Sequence, residues 1–261
     1  MNSMQLKDKL RNISKEKNVD FNTLLRLYMY DRFIERLSKS KYKDNFILKG
    51  GFYLSTLFGV ENRTTMDIDT AFRNANFDEE TITNMIKEIV SIELDDNSKV
   101  SYLGIAPIRD EDEYGGFRVD IQVEFENVKE KFHIDIATGD PITPKEIRYK
   151  YMPLLGNDYI DLFAYNMETV LAEKIETILK RGIYNSRMKD FFDLYTILST
   201  KELDSAILTE VSAKSVKFLE VNAADQNGNF VYNRVNLTSY SYERLAADNS
   251  SMSLYYPKHP M

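Results

Sequence analysis

The sequence predicts an α+β protein, with a mixed or antiparallel sheet packed with helices and a C-terminal helical region after it. Three observations predict this. Apolar residues recur at helical spacing through residues 4–40, as in Leu24, Leu27, Tyr28, Ile34 and Leu37. Residues 117–137 change to a period of two, with Val119, Ile121, Val123 and Phe125 on one face and Phe132, Ile134 and Ile136 continuing the pattern. Helical spacing returns at residue 166, where Met167, Val170, Leu171, Ile175 and Ile178 share a face.

The elements follow in order. Residues 4–17 read as a charged helix with Leu6, Leu10 and Ile13 on one side. Asp20 caps a second helix reaching residue 40. The apolar run Phe46-Ile47-Leu48 stops at Gly50-Gly51, and a short helical segment over 52–58 is closed by Gly59. Met66-Asp67-Ile68-Asp69 then reads as strand. Asp78 caps a helix bearing Ile82, Met85, Ile86, Ile89 and Val90. Strands follow at 100–108, 117–125 and 131–137, the last two joined by a linker short enough for an antiparallel hairpin. Residues 142–158 look irregular, and 159–164 form a short strand. Helices span 166–181, ended by Gly182, and 187–199, with Phe191, Leu194 and Leu198 as the inward face of the latter. Residues 204–220 read as one more helix. The remainder is rich in Asn, Ser and Tyr and reads as a flexible tail or a peripheral hairpin over 229–237. This divides the chain into a sheet-bearing domain with N-terminal helices (1–165), a helical domain closing a cleft (166–220) and a peripheral or flexible tail (221–261).

Composition narrows the function classes. The chain has 261 residues, 43% hydrophobic and 29% charged, ordinary for a soluble globular protein with ample core. It has no cysteine and two histidines, His133 and His259, which excludes disulfides and thiolate metal sites and argues against a histidine-rich zinc site. No apolar run reaches the ~18 residues of a membrane span, and no signal-peptide pattern opens the chain, so the expected location is the cytoplasm, without membrane contact. A net charge of −7 argues against a broad nucleic-acid-coating surface. Basic clusters at residues 39–43, 145–150 and 180–189 still permit a local groove.

The stretch with most chemistry is residues 46–72. On a strand, Asp67 and Asp69 project to one side while Met66 and Ile68 point to the other. Their Cα atoms lie ~7 Å apart, which lets both carboxylates converge on one cation. A solvent-facing strand edge would show the same alternation. The glycine pair makes the pattern more specific, because Gly50 and Gly51 between a strand and a helix let backbone N–H groups approach a phosphate. A nearby carboxylate pair can hold Mg²⁺ against that phosphate. No Walker-type G-x-x-x-x-G-K-[ST] is present. Two later strands each carry an outward aspartate between β-branched neighbours, Asp120 and Asp135, and alternation alone does not choose between them. His133 shares the face of Asp135. Lys174 falls mid-face on its helix, where it either snorkels past a neighbour or aims an ammonium into a cleft. Asp190 on the next helix either serves that cleft or bridges Lys174 or Arg187 structurally.

LKGG (residues 48–51), Arg63 and MDID (66–69) resemble the signature of the AbiEii/AbiGii-type nucleotidyltransferase toxins, a branch of the polymerase-β-like superfamily. The resemblance covers residues 6–198. It extends to IDIATGDP (134–141), and to a downstream pattern matched by ETVLAEKIETILKRG (168–182) and RMKDFFDLYTI (187–197). It implies a nucleotidyltransferase-type sheet and transfer of a nucleoside monophosphate from an NTP to an acceptor hydroxyl, releasing pyrophosphate. It implies metal ligation of Mg²⁺ or Mn²⁺ by Asp67, Asp69 and Asp135, with Asp120 in reserve. Gly50, Gly51, Lys174 and Arg187 would bind nucleotide, and Lys174 and Asp190 would join the catalytic set. It further implies a role in toxin–antitoxin or abortive phage-infection defence, RNA (tRNA above all) as acceptor, and a cognate antitoxin acting without a stable complex. Two other readings remain: a non-catalytic nucleotide-binding regulator, and a kinase-like phosphoryl donor to protein.

Overall fold

Three of the helices begin at side-chain caps. In the computed structural model, Asn2 and Gln5 form a reciprocal capping box that opens α1 (Ser3–Lys17). The Asp20 carboxylate accepts the Thr23 N–H at 3.0 Å and opens α2 (Phe21–Lys39). Strand β1 (Phe46–Lys49), helix α3 (Gly50–Phe58) and strand β2 (Asp67–Phe72) follow. Asp78 accepts the Thr81 N–H at 2.7 Å at the start of α4 (Glu79–Val90). Next come β3 (Ser98–Ile108), β4 (Gly116–Phe125), β5 (Val128–Ala137), β6 (Ile147–Tyr151) and β7 (Ile160–Ala164). Then follow α5 (Met167–Arg181), α6 (Met188–Thr200), β8 (Phe218–Ala224) and β9 (Phe230–Asn236). The structure describes residues 1–108, 115–139, 141–181, 187–207, 218–224 and 230–236, with 180–181 and the last two stretches described by backbone alone.

The chain forms two units, Met1–Val170 and Leu171–Met261. The first holds a seven-stranded sheet in the order β3-β4-β5-β2-β1-β7-β6. Pairings β2–β5 and β1–β7 are parallel, and the other four are antiparallel. This is the predicted α+β class with a mixed sheet. The inward face of the β4–β5 hairpin is the predicted one: Val119, Ile121, Val123, Phe125, Phe132, Ile134 and Ile136 are all buried. They meet α2, whose Leu24, Tyr28, Ile34 and Leu37 are buried in turn. Tyr30 of α2 sets its ring edge-on against Phe132 at 4.7 Å and Phe52 at 5.8 Å. Burying each such side chain contributes ~1.5–3 kcal/mol, which holds α2 and α3 to the back of the sheet.

Three expectations change. Residues 147–151, read as irregular, form the edge strand β6 against β7. An edge strand with four solvated or half-solvated residues and only Tyr151 buried carries no alternation to read. The end of the expected helix over 204–220 belongs instead to β8, which pairs antiparallel with β9; residues 208–217 lie outside the described residues, as do Asp140, Gly182 and 237–261. The inward face of α6 is Asp190, Asp193 and Ile197, while Phe191 and Leu198 are exposed. The reason is electrostatic. Lys174 of α5 pairs with both aspartates, at 3.1 Å to Asp190 and 2.7 Å to Asp193, and the helix turns that face toward it. Among the described residues, no helix is long and apolar enough to cross a membrane.

Candidate active site

The site is built on the outer face of β1, β2, β4 and β5, opposite the buried Ile68 and Ile134. Register places residues in two rows. Lys49 of β1, Asp69 of β2, Asp135 of β5 and Arg118 of β4 are successive cross-strand partners. In the neighbouring row Asp67, His133 and Asp120 are successive partners. Two acids are thus flanked by two bases in one row, a relation invisible without the strand order. Lys49 also lies over the Tyr165 ring at 5.2 Å.

The glycine turn fits against this face. Gly50 has φ +62°, and a Cβ there would lie 2.1 Å from Asp69 Oδ2. Only glycine gives both the left-handed backbone and the space. The Gly51 N–H donates to Asp69 Oδ2 at 3.0 Å, so this turn donor is directed to the carboxylate itself. A Cβ on Gly51 would meet Thr65 Oγ1 at 2.7 Å. Thr65 in turn donates to Asp67 Oδ1 at 3.1 Å, and the buried Arg63 backs the same segment. The pair of glycines therefore packs the turn against both aspartates.

Asp67, Asp69 and Asp135 each offer a carboxylate oxygen, and these lie within 4.8 Å of one another. Burial, then the charges of Asp67 and Asp135, pushes the Asp69 carboxyl up to about 6, against the opposing pull of the Gly51 N–H. Three like charges converge, and a positive counter-charge belongs there. Mg²⁺ binds oxygens at ~2.0–2.1 Å, which puts adjacent ligands ~2.9 Å and opposite ligands ~4.2 Å apart. Carboxylate oxygens within 4.8 Å of one another are close enough to converge on one divalent ion. The residues fit such an ion by charge, ligand chemistry and spacing.

Asp120 takes no part in this cluster; its Oδ1 lies 2.5 Å from Nδ1 of His133. Arg118 was not singled out in the sequence. It forks onto Asp135, donating from Nε to Oδ1 at 2.8 Å and from Nη2 to Oδ2 at 2.7 Å. Its position two residues before Asp120 puts it on the outward face, but only register reveals its partner. In the second unit, Lys174, Asp190 and Asp193 form a buried ion network, with side chains 11%, 9% and 0% exposed. Arg187 reaches Asp190 Oδ2 at 3.4 Å from a more exposed position. Asp193, placed farther round the helix by spacing alone, is the most buried of the set.

Residues 32–246 match the family model described as nucleotidyl transferase AbiEii toxin, type IV TA system. The protein is a nucleotidyltransferase. More particularly, the chain belongs to the AbiEii toxin family. Among solved structures it is similar to JHP933 from Helicobacter pylori, at 15% identity over 72% of this chain and 70% of that one, with a TM-score of 0.44. It is also similar to an antigenic nucleotidyltransferase-like protein from Paracoccidioides brasiliensis, at 14% identity over 72% and 87% of the chains, with a TM-score of 0.43. No curated protein matches it.

Proposed function

We propose that this chain transfers a nucleoside monophosphate from an NTP to a hydroxyl of RNA, tRNA being the first acceptor to test, as the toxin of a cytoplasmic toxin–antitoxin pair in phage defence. The observation that carries this is the convergence of Asp67, Asp69 and Asp135 beside the Gly50–Gly51 turn. Membership of a type IV toxin–antitoxin family supports a cognate antitoxin, expected to act without a stable complex. In the reaction, the acceptor oxygen bonds to the α-phosphorus, the bond to the β-phosphate bridging oxygen breaks, and pyrophosphate leaves. Asp67, Asp69 and Asp135 would hold Mg²⁺ or Mn²⁺, which when bound supplies positive charge to the attacking and leaving oxygens. Asp135, the third ligand, would also take the acceptor proton on a carboxylate oxygen. Gly50 and Gly51 keep the turn close enough for phosphate to approach the two aspartates. The assignment of Lys174, Asp190 and Arg187 to the nucleotide rests on the family pattern. Lys174 would offer its ammonium to the triphosphate, Asp190 would hold it, and the more exposed Arg187 would neutralise charge developing on pyrophosphate.

Incubation with α- and γ-labelled NTPs, divalent ion, and total RNA or protein tests the reading. Label from the α position alone, appearing in RNA, supports it. Label from the γ position in protein would make the enzyme a kinase, and nucleotide binding without transfer of either label would make it a regulator. The domain division behind this reading, with residues 166–220 closing a cleft over 1–165, is likewise proposed; limited proteolysis with and without NTP checks it.

A further inference from the structure

Arg118 sits at the outer end of the acidic row and takes both oxygens of Asp135 in one planar fork. A fork of this kind uses the lone pairs that face the guanidinium and sets the plane of the carboxylate. It comes from β4, which flanks β5 on the side away from β2 and its Asp67 and Asp69. The three carboxylate oxygens lie within 4.8 Å of one another, so an ion among them draws on a lone pair of Asp135. Both oxygens of Asp135 are already engaged by the fork, so giving one fully to an ion loosens it. The arm can leave: the Arg118 side chain is 46% exposed, whereas Asp135 is 19% exposed. Water reaches the Arg118 end of the pair and can take over its donors when the fork opens. A dication among the three acids would also repel the guanidinium directly.

We propose that Arg118 and the divalent cation compete for Asp135, so that Arg118 acts as a built-in counter-ion which neutralises the empty acidic row and sets the affinity of the cation. Arg118 is a positioning residue here, acting through Asp135. This rests on the proposed role of the triad in cation binding and deepens it. The competition makes the acidic face tolerable without metal and leaves a freed guanidinium at the rim of the site once metal enters.

The test is direct Mn²⁺ binding, read from the electron paramagnetic resonance signal of free Mn²⁺, for the wild type, Arg118→Met and Arg118→Lys. Competition predicts about three- to tenfold tighter Mn²⁺ binding for Arg118→Met. Arg118→Lys keeps the charge and loses the fork. It is therefore expected to recover most of the same gain. Tightening in Arg118→Met with Arg118→Lys unchanged from wild type would reduce the effect to general electrostatics and overturn the proposal. Equal or weaker binding in both variants would also overturn it, the latter because the fork would then be holding Asp135 in place for the metal. If Arg118→Met fails to fold, as judged by circular dichroism, Arg118→Lys alone decides. Absence of Mn²⁺ binding in all three proteins would instead remove the triad reading itself.

Discussion

Gly50 is the residue on which the geometry of the acidic face turns most sharply. Alanine there would adopt a left-handed backbone at about 1–2 kcal/mol and drive a Cβ into Asp69 Oδ2, 2.1 Å away. Gly50→Ala is therefore expected to lower the melting temperature and to weaken divalent binding, both measurable on one sample by scanning calorimetry with and without Mn²⁺. Gly104 is the control: nothing lies within 4 Å of a Cβ built there, so Gly104→Ala should melt within a degree or two of wild type. Asp31 gives a second prediction at this scale. Fully buried, it accepts from the Tyr151 hydroxyl and from the Leu154 N–H at 2.8 Å, and burial raises it from 3.8 to about 7. A carboxyl raised by folding stabilises the protein fully below its unfolded value and ceases to do so once pH passes the folded value. Wild-type stability should thus decline between about pH 4 and 7 relative to Asp31→Asn, whose side chain does not titrate there. Parallel melting curves for the two proteins across that range would rule the assignment out.

At the scale of elements, the pairing of α5 with α6 separates what periodicity can and cannot decide. Helical spacing placed Lys174 on an inward face, and the structure buries it. Spacing alone also placed Phe191, Leu194 and Leu198 inward on α6, because it ranks faces by apolar content. The helix instead buries Asp190, Asp193 and Ile197, since a buried ammonium without its carboxylates would be worse than an exposed phenylalanine. Lys174→Met should therefore destabilise the second unit by about 3–5 kcal/mol, as it strands two buried acids. Adding Asp190→Leu and Asp193→Leu should recover much of that loss, read from denaturant unfolding of the single and triple variants. Turnover of Lys174→Met in the cold distinguishes the roles. Normal transfer at low temperature would leave the network structural; transfer reduced about 10²–10³-fold while folded would support the phosphate contact.

For the whole molecule, the acidic row predicts how cation and pH act together on stability. Asp69, raised from 3.8 to about 6, contributes stability fully below 3.8 and loses it as pH rises through about 6. Metal-free protein should weaken over that window, and a divalent ion should restore stability above it. At a hundredfold excess over the dissociation constant, Mg²⁺ or Mn²⁺ is expected to add about 2.7 kcal/mol at pH 7.5, less at pH 5, and almost nothing to Asp67→Asn or Asp69→Asn. An equal cation shift in wild type and variants would place binding elsewhere. The sequence by itself determined the caps at Asp20 and Asp78, the α+β class, the inward faces of β4 and β5, and the same-face pairing of Asp67 with Asp69. Each of these depends on neighbours a few residues apart, where helical and strand periods suffice. Only the tertiary structure decided the rest. Strand order and register put Asp135 beside Asp69 and left Asp120 with His133. The same register brought Lys49 and Arg118 to the two ends of the acidic row, and close packing turned the Gly51 N–H onto Asp69. The physical reason is range: alternation tells a side chain which face to take, but which charges meet across that face depends on strands far apart in sequence.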